Sequence, residues 1–201
     1  SLRAQADKYD YRFDDKAPYQ IISNAYMSRK ELERIHEAEE MLERYWNSGK
    51  FSRTMKLVFE KHYIGSYFEF FDELASYSHA LQLIKRSYRL EDSFQILHQF
   101  LVSKEIDLFD SLRVDYYSCF NVRPQGFWNE KVEKKLRKKL LYHIGNDRRF
   151  VESYGLSRRI IEKQAVVDSW DGHICQLVVF CNDGSRENPL YLKYEFLQMI
   201  V

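Results

Sequence analysis

Between residues 28 and 46, apolar side chains return at intervals of three, four and seven. Leu32, Ile35, Leu42, Tyr45 and Trp46 would line one face of a helix. Glu31, Glu33, Arg34, Glu37, Glu40 and Arg44 fall largely off that face. Ser28 and Glu31 have capping-box spacing, in which each side chain takes the other residue's backbone N–H. Asn47-Ser48-Gly49 ends the pattern, with Gly49 suited to the left-handed position after a helix. The spacing predicts an amphipathic helix of roughly five or six turns.

Helix follows helix beyond it. Residues 51–62 place Met55, Val58 and Phe59 on one side. Ser66 and Glu69 suggest a second capping box. It would open a helix over 67–86 with Phe68, Phe71, Leu74, Ala75, Tyr77, Leu81 and Ile84 facing inward. A helix from Asp92-Ser93 would turn Phe94, Leu97, Phe100 and Leu101 to the core. Ile106, Phe109, Leu112, Val114 and Tyr116 predict another, ending near Asn121, before a break at Pro124 and Gly126. The helix over 128–144 sets Val132, Leu136, Leu140 and Ile144 opposite a row of lysines.

Past residue 160 the period falls from 3.6 to two. Residues 165–167, 174–180 and 190–196 read as three strands. Asp171-Gly172 and Asn182-Asp183-Gly184 would turn them into an antiparallel meander. The expected fold is mainly α with a small C-terminal β-meander, α+β in all. The organisation expected is a strap over 1–24, a helical domain over 25–160 and a β appendage over 161–201.

Composition narrows the function more than it defines it. A net charge of +1 gives no global argument for nucleic acid or an anionic membrane as partner. Locally the balance differs: ten basic residues face three acidic ones between 131 and 159. Lys131, Lys134, Lys135, Lys138 and Lys139 share a helix face, and Arg148 and Arg149 follow. These seven are the candidate partner-binding residues. A solvated lysine face is the simpler explanation, and no base-stacking motif shows beside it in the sequence, so nucleic acid is not the expected partner. No run approaches the ~20 apolar residues of a membrane span. Ser1 in place of methionine suggests an internal piece of a longer polypeptide.

Catalytic spacings are missing. Glu33-x-x-His36 matches half a di-iron pattern, with no second copy to complete it. The remaining histidines show no metal-ligand spacing, and there is no phosphate loop or Gly-x-Ser-x-Gly. Cys119, Cys175 and Cys181 read as ordinary reduced thiols of a cytoplasmic protein, with Cys175 and Cys181 on one strand and too far apart to pair. No catalytic, cofactor-binding or metal-binding residue is assigned.

One resemblance goes further. The stretch from Pro18 to Phe51, PYQIISNAYMSRKELERIHEAEEMLERYWNSGKF, resembles the domain that follows the catalytic barrel in cobalamin-binding radical SAM proteins. Many of those are labelled Fe–S oxidoreductases or anaerobic magnesium-protoporphyrin IX monomethyl ester cyclases. Leu2 to Tyr9 is similar to the last helical piece leaving such a barrel, and Phe68 to Leu74 and Leu112 to Tyr117 also look like that domain. The resemblance implies a non-catalytic accessory domain of an S-adenosylmethionine-dependent enzyme of unknown substrate. Its partner would be the upstream catalytic domain of the same polypeptide. The 4Fe–4S cluster, S-adenosylmethionine and cobalamin would belong to that parent, since these cysteines lack the Cys-x3-Cys-x2-Cys spacing of the cluster. Residues 9–24 would run from barrel to helices, with Tyr19, Tyr45, Trp46 and Phe51 as candidate docking residues. The alternative is a self-contained helical adaptor that binds a partner or nucleic acid through the basic 131–159 surface.

Overall fold

A computed structural model describes residues 5–15, 20–81, 89–124, 132–181 and 189–196. The chain gathers into two units, Ser1–Leu112 and Arg113–Val201. The fold is α+β, helix-rich, with a three-stranded antiparallel sheet at its C-terminal end. Among the sequence expectations, Tyr19, Ile84, Gly126, Lys131 and the Asn182-Asp183-Gly184 turn lie outside the described residues, as do the starts of the first and lysine-rich segments.

The first unit begins with α1 (Ala6–Tyr9) and a short ladder between β1 (Arg12–Phe13) and β2 (Ile21–Ser23). Ser28 then caps α2 (Arg29–Leu42): its Oγ accepts the Glu31 N–H at 3.3 Å, while Glu31 Oε2 accepts the Ser28 N–H at 2.7 Å. A π-helical turn, Glu43–Asn47, continues the helix, and Gly49 leaves it at φ +70°. α3 (Ser52–Lys61), α4 (Tyr67–Ala80) and α5 (Leu90–Ser103) follow, and α6 (Phe109–Cys119) carries the boundary between the units.

Rings fill this core. Phe51, Phe70, Phe94 and Phe100 are fully buried with Leu74 and Leu97. Phe51 lies 4.3 Å from Phe94 and 4.9 Å from Tyr45 between ring centroids, and Phe70 meets Phe100 edge-on at 5.6 Å. Such offset and edge contacts place the positive ring edge near a negative ring face.

Four local expectations change. α2 buries Ala38, Met41 and Tyr45, while Ile35 and Trp46 of the predicted inward face stay exposed. The cause is α4, which packs on the side of α2 that carries Arg34 and Met41. In α4, Phe70 takes the core position and Phe68 and Leu81 are left outside. Ser66 precedes α4 but makes no side-chain cap bond, because its ψ of 50° departs from the extended backbone that capping needs. α5 starts earlier than expected, at Leu90, with Asp92 accepting the Arg89 N–H at 3.0 Å.

In the second unit, α7 (Lys134–Asn146), α8 (Arg148–Ser153) and α9 (Arg158–Gln164) lead into β3 (Ala165–Trp170), β4 (Ile174–Val179) and β5 (Leu190–Glu195). The sheet order is β3-β4-β5, with Val167 opposite Leu177 and Leu177 opposite Leu192. Leu140, Ile144, Ile161, Val167, Leu177 and Val179 form its core, and Val132 and Leu136 pack at the edge. The change of period at residue 160 therefore falls inside this unit, where α7 and α9 pack on the sheet they precede. The Asp171 carboxylate accepts the His173 and Ile174 N–H groups, which closes the β3–β4 turn with Gly172 at φ +104°. Cys175 lies buried in β4, Cys181 is buried just past its end, and none of the three cysteines is in a disulfide.

Candidate functional site

Beside the residues that α2 leaves uncovered runs a groove of about 770 Å³. Ile35, Ala38 and Leu42 line it from α2, three and four residues apart, so they share a face, and Trp46 extends that stripe. Tyr67, Phe68 and Phe71 line it from α4, and Glu39 is its charged member. Trp46 is 44% exposed, Tyr67 55% and Phe68 50%, a concentration of open aromatic surface in one place. Contiguous apolar patches of this kind mark interaction surfaces more often than solvent-facing decoration.

The groove is held in shape from behind. Trp46 packs edge-on against Phe59 at 5.2 Å, and Phe59 sits 4.7 Å from Tyr67. At the other end Arg34 pairs with Asp72, its Nη2 donating to Oδ2 at 2.5 Å, while its guanidinium lies 5.7 Å from the Phe68 ring. That hydrogen bond holds the Asp72 carboxyl below its ordinary range. The ion pair ties α2 to α4 and so fixes the width between the two walls. Of the four docking candidates, Trp46 lines the groove, whereas Tyr45 and Phe51 lie in the core behind it. The Tyr45 hydroxyl donates to the Ser93 carbonyl at 3.2 Å.

A second feature is enclosed. In the second unit Asp168 on β3 is fully buried, yet it carries a carboxylate. Arg113 Nη1 donates to Oδ2 at 2.8 Å and the Tyr117 hydroxyl donates to Oδ1 at 2.5 Å. Arg113 also donates to Gln176 on β4, and Arg123 Nε donates to the Asp168 carbonyl at 3.0 Å. Burial and the neighbouring carboxylate raise the Tyr117 hydroxyl pKa, so it stays a hydrogen-bond donor. Burial, then Asp168, pushes the Cys175 thiol up to about 12, which leaves it protonated and inert. The cluster is enclosed, with both Asp168 carboxylate oxygens held; its chemistry is that of a clamp between α6 and the sheet. Sequence reading missed it, because Arg113, Asp168 and Gln176 are far apart in the chain and belong to different elements.

The basic residues are spread along one helix and beyond. Lys134, Lys135, Lys138 and Lys139 are exposed on α7, and Arg148 and Arg149 are exposed on the first turn of α8. Glu33 and His36 each turn to a neighbour on α2, Arg29 at 2.8 Å and Glu39 at 3.4 Å. Among the described residues no helix is long and apolar enough to cross a membrane.

By fold, then, this is a helix-rich α+β protein with an antiparallel sheet at its end and an open aromatic groove on its first unit. It belongs to the family described as protein of unknown function (DUF4080), which matches residues 7–183. No curated protein and no solved structure matches it.

Proposed function

We propose that this chain is a non-catalytic accessory domain that docks, through the α2–α4 groove, onto a radical SAM catalytic domain of the same polypeptide. One observation carries the reading: the apolar stripe most legible in the sequence, Ile35, Leu42 and Trp46, is left open and widened by Tyr67 and Phe68. A stripe of that kind on a helix is ordinarily core. Its exposure here fits a surface that a neighbouring domain covers. The resemblance of residues 2–75 to the domain that follows the barrel in cobalamin-binding radical SAM proteins supports the choice of neighbour.

In this reading the 4Fe–4S cluster, S-adenosylmethionine and cobalamin belong to the catalytic domain. The thiols of this chain do not fit the cluster: Cys119 lies on α6, and Cys175 and Cys181 are buried at the sheet. No reaction step is assigned to them. The domain would act by covering or shaping the substrate opening, in the cytoplasm.

The test is association in trans. The catalytic domain and this chain, made as separate polypeptides, are mixed and followed by sedimentation velocity. Trp46→Ala with Phe68→Ala removes two exposed rings of the groove and should weaken the complex at least tenfold, while leaving the thermal melt of the chain nearly unchanged. Absence of a complex, or a complex indifferent to both substitutions, defeats the proposal.

A further inference from the structure

The lysine row of α7 has a companion that its sequence pattern hid. Lys134, Lys138 and Tyr142 are spaced four apart, and Lys135 precedes Tyr142 by seven, so the four side chains form one stripe along α7. Tyr142 is 58% exposed in the middle of that positive surface. α9 packs beside α7 and adds Arg158 and Lys163. Lys138, Tyr142, Arg158 and Lys163 together line a shallow cleft of about 330 Å³.

The cleft is organised. Arg158 lies across α7 at buried Gly145, its Cγ 3.2 Å from where a Cβ would stand. Its Nη1 donates to Asn146 Oδ1 at 2.9 Å and its Nε to Glu162 at 2.7 Å. Those two bonds hold the guanidinium 4.8 Å from the centroid of the Tyr142 ring. The ring is thus backed by a fixed cation while more than half of the residue stays open. Glu162 is the cleft's one carboxylate, and Arg158 already engages it. Lys134, Lys135, Lys138 and Lys163 have no carboxylate within ion-pair distance among the described residues, so their charge is available to an outside anion.

We infer that the α7–α9 face binds single-stranded nucleic acid: a base stacks on Tyr142 while the flanking phosphates lie along the lysines. Charge alone would serve any polyanion. The cation-backed aromatic inside the positive stripe is what selects a ligand that alternates phosphates with flat rings. An anionic membrane has no such ring, and an acidic protein segment gives a lysine row partners without needing Tyr142. The inference concerns a different surface from the groove, and either can fail without the other.

The experiment is fluorescence anisotropy on the chain with a labelled oligouridylate of about 16 nucleotides, the upper site size for one small binding domain. Binding should weaken with salt, with a log–log slope of about −0.7 for each phosphate contacted. Tyr142→Ala should lose about tenfold in affinity, the scale of one stacked base, and Tyr142→Phe should restore it. Lys138→Glu combined with Lys163→Glu should abolish binding without altering the melt. Three results overturn the inference. They are no saturable binding at low salt, binding that Tyr142→Ala leaves intact and heparin matches, and preference for anionic vesicles over the oligonucleotide.

Discussion

The two units solve the same problem with opposite chemistry. Unit Ser1–Leu112 is centred on phenylalanine: Phe51, Phe70, Phe94 and Phe100 pack with almost nothing charged among them, and among the described residues Asp72 is the carboxylate it draws furthest in. Unit Arg113–Val201 has an aliphatic core too, but it also seals Asp168 against Arg113 and Tyr117. Apolar burial is non-directional and tolerates a change of shape if volume is kept. A buried carboxylate tolerates a change of shape far better than a change of charge, because removing one partner leaves the other's charge without its counter-ion. The first core should therefore respond to volume and the second to charge.

Substitution separates the two most sharply when shape and chemistry are changed in turn. Asp168→Ala should cost about 3–5 kcal/mol, the scale of breaking a buried pair. Phe70→Ala should cost a similar ~3–5 kcal/mol through the cavity it leaves. The conservative changes then part company. Phe70→Leu, apolar for apolar, should cost about 1.5 kcal/mol or less once the core repacks. Asp168→Asn keeps the shape and should still cost about 2–3 kcal/mol, because the hydrogen bonds to a charged partner weaken. Urea denaturation of the four variants decides it, and equal costs for Phe70→Leu and Asp168→Asn would erase the distinction. Arg113→Met with Asp168→Leu should recover part of the loss, since an apolar pair avoids desolvating two ions while the Tyr117 hydroxyl and the Gln176 amide each lose a partner.

This contrast also explains what could be read in advance. Helices α2 to α6 and strands β3 to β5 were visible because periodicity of 3.6 or two is a local property of the chain. Which apolar residue faces inward was less visible. Phe68 and Phe70 are both apolar, and only the packing of α4 against its neighbours puts Phe70 inside and Phe68 in the groove. Ile35 and Trp46 look inward in the sequence for the same reason. The Asp168 cluster and the Tyr142 cleft left no signal at all. Each needs residues from separate elements, and a lone Asp in a strand or Tyr in a helix looks like any other.

Acid should act on the first unit in two stages. Burial holds the His98 imidazole below its ordinary 6.5 in the folded chain, with Asp107 opposing more weakly. The unfolded chain therefore binds a proton first as pH falls, and stability declines from about pH 6.5 downward until the folded His98 also titrates. The carboxyls behave the other way about. Asp72 is held low by its hydrogen bond with Arg34, and Glu73 by Lys104 and then Tyr63. Their contribution is whole above the ordinary carboxylate range and is lost as pH falls below about 4. Chemical denaturation at a series of pH values should show both stages. His98→Gln should erase the upper one and leave the lower; if the upper stage survives, another group is responsible.

The smallest expected effect compares one turn built twice. α5 ends with Glu105 at φ +57°, where Glu105 N–H bonds the Val102 carbonyl and Ile106 N–H bonds that of Leu101 at 2.9 Å. α8 ends in the same way, with Gly155 at φ +58°, its N–H on the Glu152 carbonyl, and Leu156 N–H on that of Val151 at 2.7 Å. In both, the next residue, Ile106 or Leu156, is buried. The backbone is equivalent and the residue at the left-handed position differs, glycine in one unit and a side chain in the other. A Cβ is strained at that φ and glycine is not. Glu105→Gly should therefore gain about 0.5–1 kcal/mol, and Gly155→Ala should lose about 1 kcal/mol. A gain at both positions, or a loss at both, would mean that the unfolded chain rather than the turn decides the sign.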